Sequence, residues 1–164
     1  MAEKSESDTR MTVERTSDRE MTVTRIFNGP AHIVFKAWTT PDLLKRWWAP
    51  KSYGITFISC DVDVRTGGSY RFVFGSPQFD QPMAFFGKYI EVIPNARLVW
   101  TNEESGEGPV TTVTFEEKDG KTLLVMRDLY PSKEMLDEAI ASDSAGGISG
   151  NFEQLDELLI ALGV

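Results

Sequence analysis

Between Ile55 and Asp128 the chain alternates in side-chain character with a period of two, broken only by short turn signals. Thr56, Ile58, Cys60, Val62 and Val64 fall on one side of the first segment, with Ser59, Asp61 and Asp63 on the other. That is the signature of a half-buried strand. After Thr66-Gly67-Gly68 the alternation resumes with Tyr70, Phe72 and Phe74, then over Met83 to Ile93, Arg97 to Asn102, Val110 to Glu117 and Lys121 to Asp128. The separators Pro94-Asn95, Ser105 to Pro109 and Asp119-Gly120 leave room only for tight turns, so consecutive strands pair as an antiparallel meander.

Helical patterns flank this run. Met21 to Phe27 reads as one more strand, stopped by Asn28-Gly29-Pro30. Ile33, Val34, Ala37 and Trp38 then form one apolar stripe, with Pro30 at a first helical position where its missing N–H costs nothing. Thr40 is placed to cap a second helix with Pro41 at its first position, Asp42 beside the helix dipole and Leu43, Leu44, Trp47 and Trp48 facing inward, until Pro50 ends it. So much aromatic surface ahead of a sheet suggests a lid. Beyond Pro131, Met135, Leu136 and Ile140, then Ile148, Phe152, Leu155 and Leu159, give a terminal helix. Gly146, Gly147 and Gly150 predict a break or fresh start near Asp143 to Gly147, hence two segments.

These elements add up to an α+β chain: a curved antiparallel sheet of about seven strands wrapped on a long C-terminal helix, with two short helices after the first strand. Its 164 residues suit one domain burying roughly 70% of its unfolded surface. Residues 1–18 carry almost no large apolar group and read as a flexible arm, leaving 19–164 as the domain. MTVERT (Met11 to Thr16) echoes MTVTRI (Met21 to Ile26), two β-prone strings rather than a repeat architecture.

Lys and Arg number 17 against 25 Asp and Glu, and the net charge of −8 disfavours a nucleic-acid partner. One Cys and one His exclude an internal disulfide framework and most metal sites, so no cofactor is expected. No apolar run reaches the ~20 residues of a membrane span, and a cytoplasmic location is expected.

VFKAWTTPDLLKRWWAP (Val34 to Pro50), DVRTGG (Asp63 to Gly68), GKYIEVIPNARLVWT (Gly87 to Thr101) and FEQLDELL (Phe152 to Leu159) together resemble the START-like SRPBCC superfamily. Within it they are most similar to the bacterial homologues of the heat-shock-protein-90 ATPase activator domain, over about Met21 to Leu162. The resemblance implies a helix-grip fold with an internal cavity. Its relatives include carriers of lipids and other hydrophobic ligands, polyketide cyclases, self-sacrificing resistance proteins and co-chaperone domains. Where relatives often carry an aromatic residue after the Gly opening the last helix, this chain has Ile148, which changes the cavity wall.

The leading expectation is a non-catalytic protein holding a small, largely apolar molecule, lipid or aromatic, in that cavity. The candidate lining is Trp47, Trp48, Val62, Tyr70, Phe72, Phe74, Tyr89, Trp100, Phe115, Met126, Phe152 and Leu155. The alternatives are a module that stimulates a chaperone ATPase and, behind both, a cyclase or hydrolase. The chain is expected as a monomer or homodimer. Trp47 and Trp48 either pack helix on sheet, the plainer reading, or gate the cavity mouth. Asp63 and Arg65 read as a local ion pair, Cys60 as a small buried hydrophobe and His32 as a surface residue in a first helical turn. Asp128 reads as a solvated strand end, although it stands with Tyr70 and Tyr89 as a polar group to seek in the cavity. Glu103, Glu104 and Glu107 fall in a solvent loop, and the acidic residues of the terminal helices, Asp156 included, form a negative outer face.

Overall fold

The alternating segments form an eight-stranded antiparallel sheet, curved and unclosed, in the order β1-β2-β8-β7-β6-β5-β4-β3. The strands are β1 (Met11–Arg15), β2 (Glu20–Phe27), β3 (Thr56–Val62), β4 (Ser69–Gly75), β5 (Met83–Ile93), β6 (Arg97–Thr101), β7 (Val110–Lys118) and β8 (Lys121–Leu129). Among the described residues there are four helices: α1 (Ala31–Thr39), α2 (Pro41–Trp47), α3 (Lys133–Ala141) and α4 (Ser144–Ala161). This computed structural model describes residues 11–48, 55–77, 80–103, 106, 108–141 and 144–163, with the backbone alone over 144–150. Residues 1–10 of the expected arm, the Pro50 stop, Glu104, Glu107, Asp143 and the Ile148 side chain lie outside the described residues.

The eighth strand comes from the expected arm. Met11–Arg15 pairs antiparallel with β2, Met11 opposite Arg25 and Arg15 opposite Met21. Four of its five side chains are exposed, so backbone pairing rather than apolar burial holds this β-prone string, whose polar composition reads as part of the arm. Arg15 also reaches Asp137 of α3 at 2.7 Å. A second departure lies in β3. A β-bulge between Phe57 and Ser59 resets the alternation, so Phe57 turns inward against Phe72 and Phe74 while Ile58, read as inward, is 57% exposed. One extra residue reverses every side chain before it.

The β7–β8 hairpin turns on Asp119-Gly120, both at positive φ (56° and 78°), with Lys118 opposite Lys121. Two left-handed residues match the twist of the flanking strands. At the β3–β4 turn Gly67 N–H donates to the Tyr89 carbonyl and Tyr89 N–H to that of Gly68, so the turn is stitched to β5. A side-chain carbon on Gly68 would sit 1.9 Å from the Asp63 carbonyl oxygen, which only glycine avoids.

The helices cover the inner face of the sheet. Val34, Phe35, Ala37 and Trp38 of α1 are buried, and His32 is exposed. The α1 N-terminus lacks a local side-chain cap; instead the Ala31 N–H donates 2.8 Å to Glu117 Oε1 of β7. Buried Thr122 donates 2.7 Å to the Gly29 carbonyl beside it. Thr40 stands at the α2 cap with Pro41 after it, and its carbonyl accepts from Leu43 and Leu44. The terminal segment divides, as its glycines suggest, into α3 and α4. Phe152, Leu155, Leu158 and Leu159 of α4 are buried. Asp156 is turned inward instead of joining the acidic outer face: it accepts 2.6 Å and 3.3 Å bonds from Arg25, a nearly buried β2 side chain lying 4.8 Å over the Phe27 ring. The reason is parity, since Arg25 shares the inner face with Val23 and Phe27 and needs an anion there.

Candidate functional site

Cross-strand register builds the floor of the site. Asp128 lies opposite Met21 and Thr111, Thr111 opposite Trp100, and Trp100 opposite Tyr89. The row Met21, Asp128, Thr111, Trp100 and Tyr89 therefore crosses five strands on the inner face. Above it stand the aromatic residues of α1, α2 and α4. Two adjoining chambers lie between the layers, sharing Trp38, Trp48, Trp100 and Asn102. The outer one has a volume of about 60 Å³ and reaches Leu44, Tyr70, Phe72, Phe85 and Tyr89. The inner one, so called because it lies over the central strands β7 and β8, is partly open to solvent, has a volume of about 170 Å³ and reaches Trp47, Thr111, Met126, Asp128, Asn151 and Phe152.

All four tryptophans meet here. The Trp38 ring lies 4.8 Å from Trp47, 5.4 Å from Trp48 and 6.0 Å from Trp100. Trp48 stands at 77° to Trp38, 76° to Trp47 and 66° to Trp100, so the rings form steep walls instead of a flat stack. The adjacent pair has divided roles. Trp47 is fully buried, donates 2.9 Å from Nε1 to the Ala37 carbonyl, and accepts at its own carbonyl from Gln154. Trp48 keeps part of its surface, which lines both chambers.

Polar groups run along one edge of this aromatic box. The Tyr70 hydroxyl donates 2.6 Å to the Thr101 carbonyl and lies 3.4 Å from Asn102 Oδ1. Asn102 Nδ2 donates to the Pro109 carbonyl and to Thr111 Oγ1, which in turn donates 2.6 Å to Asp128 Oδ1. Asp128 is thus not a solvated strand end. Its neighbours on the same face are Thr122, Leu124 and Met126, and the surface it retains belongs to the inner chamber. Burial pushes its carboxyl from 3.8 up to about 6, against the opposing pull of the Thr111 hydrogen bond. Two further polar atoms on chamber-lining side chains, Trp38 Nε1 and Asn151 Oδ1, are buried without a hydrogen-bond partner.

Of the twelve candidate residues, Trp47, Trp48, Tyr70, Phe72, Tyr89, Trp100, Met126 and Phe152 line one or both chambers. Phe74, Phe115 and Leu155 are core instead: Phe74 packs on Phe57 and Phe85, Phe115 lies under Phe35 and Trp38, and Leu155 of α4 is fully buried. Val62, half-buried opposite Tyr70 on the edge strand, also stays outside both chambers. Trp38, Leu44, Phe85, Asn102, Thr111 and Asn151 were missed by sequence reasoning. Helical spacing could have found Trp38, and strand parity could have found Thr111 beside Asp128, which the sequence already offers as a polar group to seek in the cavity.

The remaining groups fall away from the chambers. Asp63 and Arg65 pair in the open at 2.9 Å. Glu103 accepts from Thr101 Oγ1. Cys60 is buried opposite Phe72, and burial pushes its thiol up to about 11, which leaves no thiolate to react. Burial likewise raises the Tyr89 phenol, with Cys60 as a smaller cause. Among the described residues no group of three His, Cys, Asp or Glu side chains gathers to hold a metal ion, and no helix is long and apolar enough to cross a membrane.

Comparison with known proteins agrees with this architecture. A crystal structure of a Rhodobacter sphaeroides protein superposes with a TM-score of 0.85 at 24% identity, over 93% of this chain and 99% of that one. A Mycobacterium smegmatis protein gives 0.80 at 25% identity, covering 93% and 99%. An AHSA1-like protein from Aeromonas hydrophila, solved by solution NMR, gives 0.70 at 20% identity, covering 87% and 94%. A search of curated proteins found no match. The family described as activator of Hsp90 ATPase homolog 1-like protein matches residues 28–160, and its fold generally serves ligand-binding or co-chaperone-like domains. The chain, START-like in fold and matched over most of its length, belongs to the AHSA1 family.

Proposed function

We propose that the protein binds a small apolar molecule of about one ring in the chambers between sheet and helices. The observation that carries this reading is the inner chamber, walled by Trp38, Trp47, Trp48, Trp100, Met126 and Phe152. Its volume of about 170 Å³ is close to that of apolar cavities of about 150 Å³ that take up benzene. A fatty acid or sterol is several times too large, so the aromatic class is favoured over the lipid class. Apolar burial at roughly 25 cal/mol per Å² supplies the affinity, and the polar edge from Tyr70 to Asp128 orients the molecule.

The four clustered tryptophans provide the assay. Titration with toluene or benzyl alcohol is expected to change their fluorescence saturably, while a long-chain fatty acid leaves it unchanged. No saturable response to any ring-sized probe refutes the reading. The family description favours a second reading, activation of a chaperone ATPase, for which exposed Ile58, Phe86 and Ile90 on the sheet offer apolar contact points. An unchanged chaperone ATPase rate at saturating protein removes it.

A further inference from the structure

We propose that the molecule held in the inner chamber is a small organic cation, an ammonium group carried by the ring-sized apolar body. This rests on the binding function proposed above and narrows its ligand class. Among the described residues that line the inner chamber, Asp128 is the single charged side chain. The described residues around it supply no cation: its register partners on β2 and β7 are Met21 and Thr111, and α1 and α4 bring Trp38, Asn151 and Phe152. Arg127, the next residue, is exposed and points to the opposite face of β8 by strand parity. A half-buried carboxylate with one hydroxyl donor is an incomplete pair.

The walls complete it in a particular way. Indole faces attract cations, most strongly where water is excluded, and four tryptophans set at steep angles surround this chamber. Asn151 Oδ1, buried and unpartnered, adds a neutral acceptor suited to an ammonium N–H. The Trp38 Nε1–H is a donor and has no part in holding the ammonium. An anion of the same shape meets Asp128 with like charge, and the net charge of −8 draws cations towards the protein in general.

Benzylamine, benzyl alcohol and benzoate share a ring and differ in charge. Each is titrated against the full chain at pH 8, with tryptophan fluorescence and calorimetry as readouts. Benzylamine is expected to bind at least about tenfold tighter than benzyl alcohol, and benzoate more weakly than either. D128N narrows the amine-to-alcohol ratio to about twofold. In the unaltered protein the same narrowing is expected at pH 5, because no other titratable side chain stands among the described residues that line the inner chamber. Equal binding of amine and alcohol, or an amine preference unaffected by both D128N and pH 5, overturns the cation proposal and leaves the ring-binding function standing. Absence of binding by all three overturns both.

Discussion

Asp128→Asn should make the protein more stable at neutral pH, an unusual outcome for altering a half-buried hydrogen-bonded group. In the native state burial raises the Asp128 carboxyl from 3.8 to about 6. A group that holds its proton more tightly when folded contributes its full stability below about pH 3.8 and loses it as pH rises through about 6. At about 1.4 kcal/mol per pH unit, the ionised native carboxylate costs about 3 kcal/mol at pH 8. Asparagine keeps the shape and an acceptor for Thr111 but never ionises. Urea unfolding of both proteins, followed by tryptophan fluorescence at half-unit steps from pH 4 to 8, isolates this residue because every other titration cancels in the difference. The variant's advantage should grow from near zero at pH 4 to about 3 kcal/mol at pH 8, most of it between pH 4 and 6.5. A difference that stays flat across the range refutes the reasoning, since it means that the carboxylate is as well solvated in the fold as in the unfolded chain.

Gly87→Ala places a carbon about 2.1 Å from the Thr101 carbonyl oxygen that receives the Tyr70 hydroxyl, and urea unfolding should show a loss of about 2 kcal/mol or more. Asp156→Ala strands buried Arg25 and should cost about 3 kcal/mol, whereas the double replacement Arg25→Met with Asp156→Leu should recover most of it; a double variant no better than the single contradicts the desolvation argument. Trp47→Ala should cost about 3–5 kcal/mol and Trp48→Ala clearly less, with altered binding of ring compounds, because Trp47 is fully buried whereas Trp48 keeps exposed surface and lines both chambers; equal losses would make both plain packing residues. Cys60 should resist a charged thiol reagent at pH 8 until urea unfolds the chain, and rapid labelling of native protein would contradict its burial.

The meander was legible because each of its strands buries one face, which writes period two into the side chains. Strand β1 was not, because its hold is the backbone ladder to β2 and its side chains, Thr12 and Glu14 among them, remain in water. Ile58 and Phe57 exchanged places for a related reason: a bulge is a backbone event with no side-chain signature. The aromatic half of the chambers could be read from helical spacing and strand parity together. The polar edge could be read only in part: Tyr70 and Asp128 stand out in the sequence, but whether Asp128 is solvated depends on what covers the end of β8, and that cover is Trp38, Asn151 and Phe152 from two other elements. Phe74 and Phe115 show the converse limit. Parity places a residue on the inner face, but only the path of the helices decides whether it borders a space or fills one.

The capping of α1 by Glu117 has a mechanical consequence. Ala31 is held to β7 by that carboxylate, and Gly29 to β8 by the Thr122 hydroxyl, so the start of the helix is bolted to a hairpin buried in the middle of the sheet. The far end of the same layer, α2 with Trp47 and Trp48, hangs on α4 through Gln154 and lies against the sheet near its β3 edge. A door with one side fixed to the frame swings from the other. Entry to the chambers is therefore expected by displacement of α2 about the Thr39-Thr40-Pro41 joint, with amide exchange faster at Leu44 and Trp48 than at Val34 and Phe35.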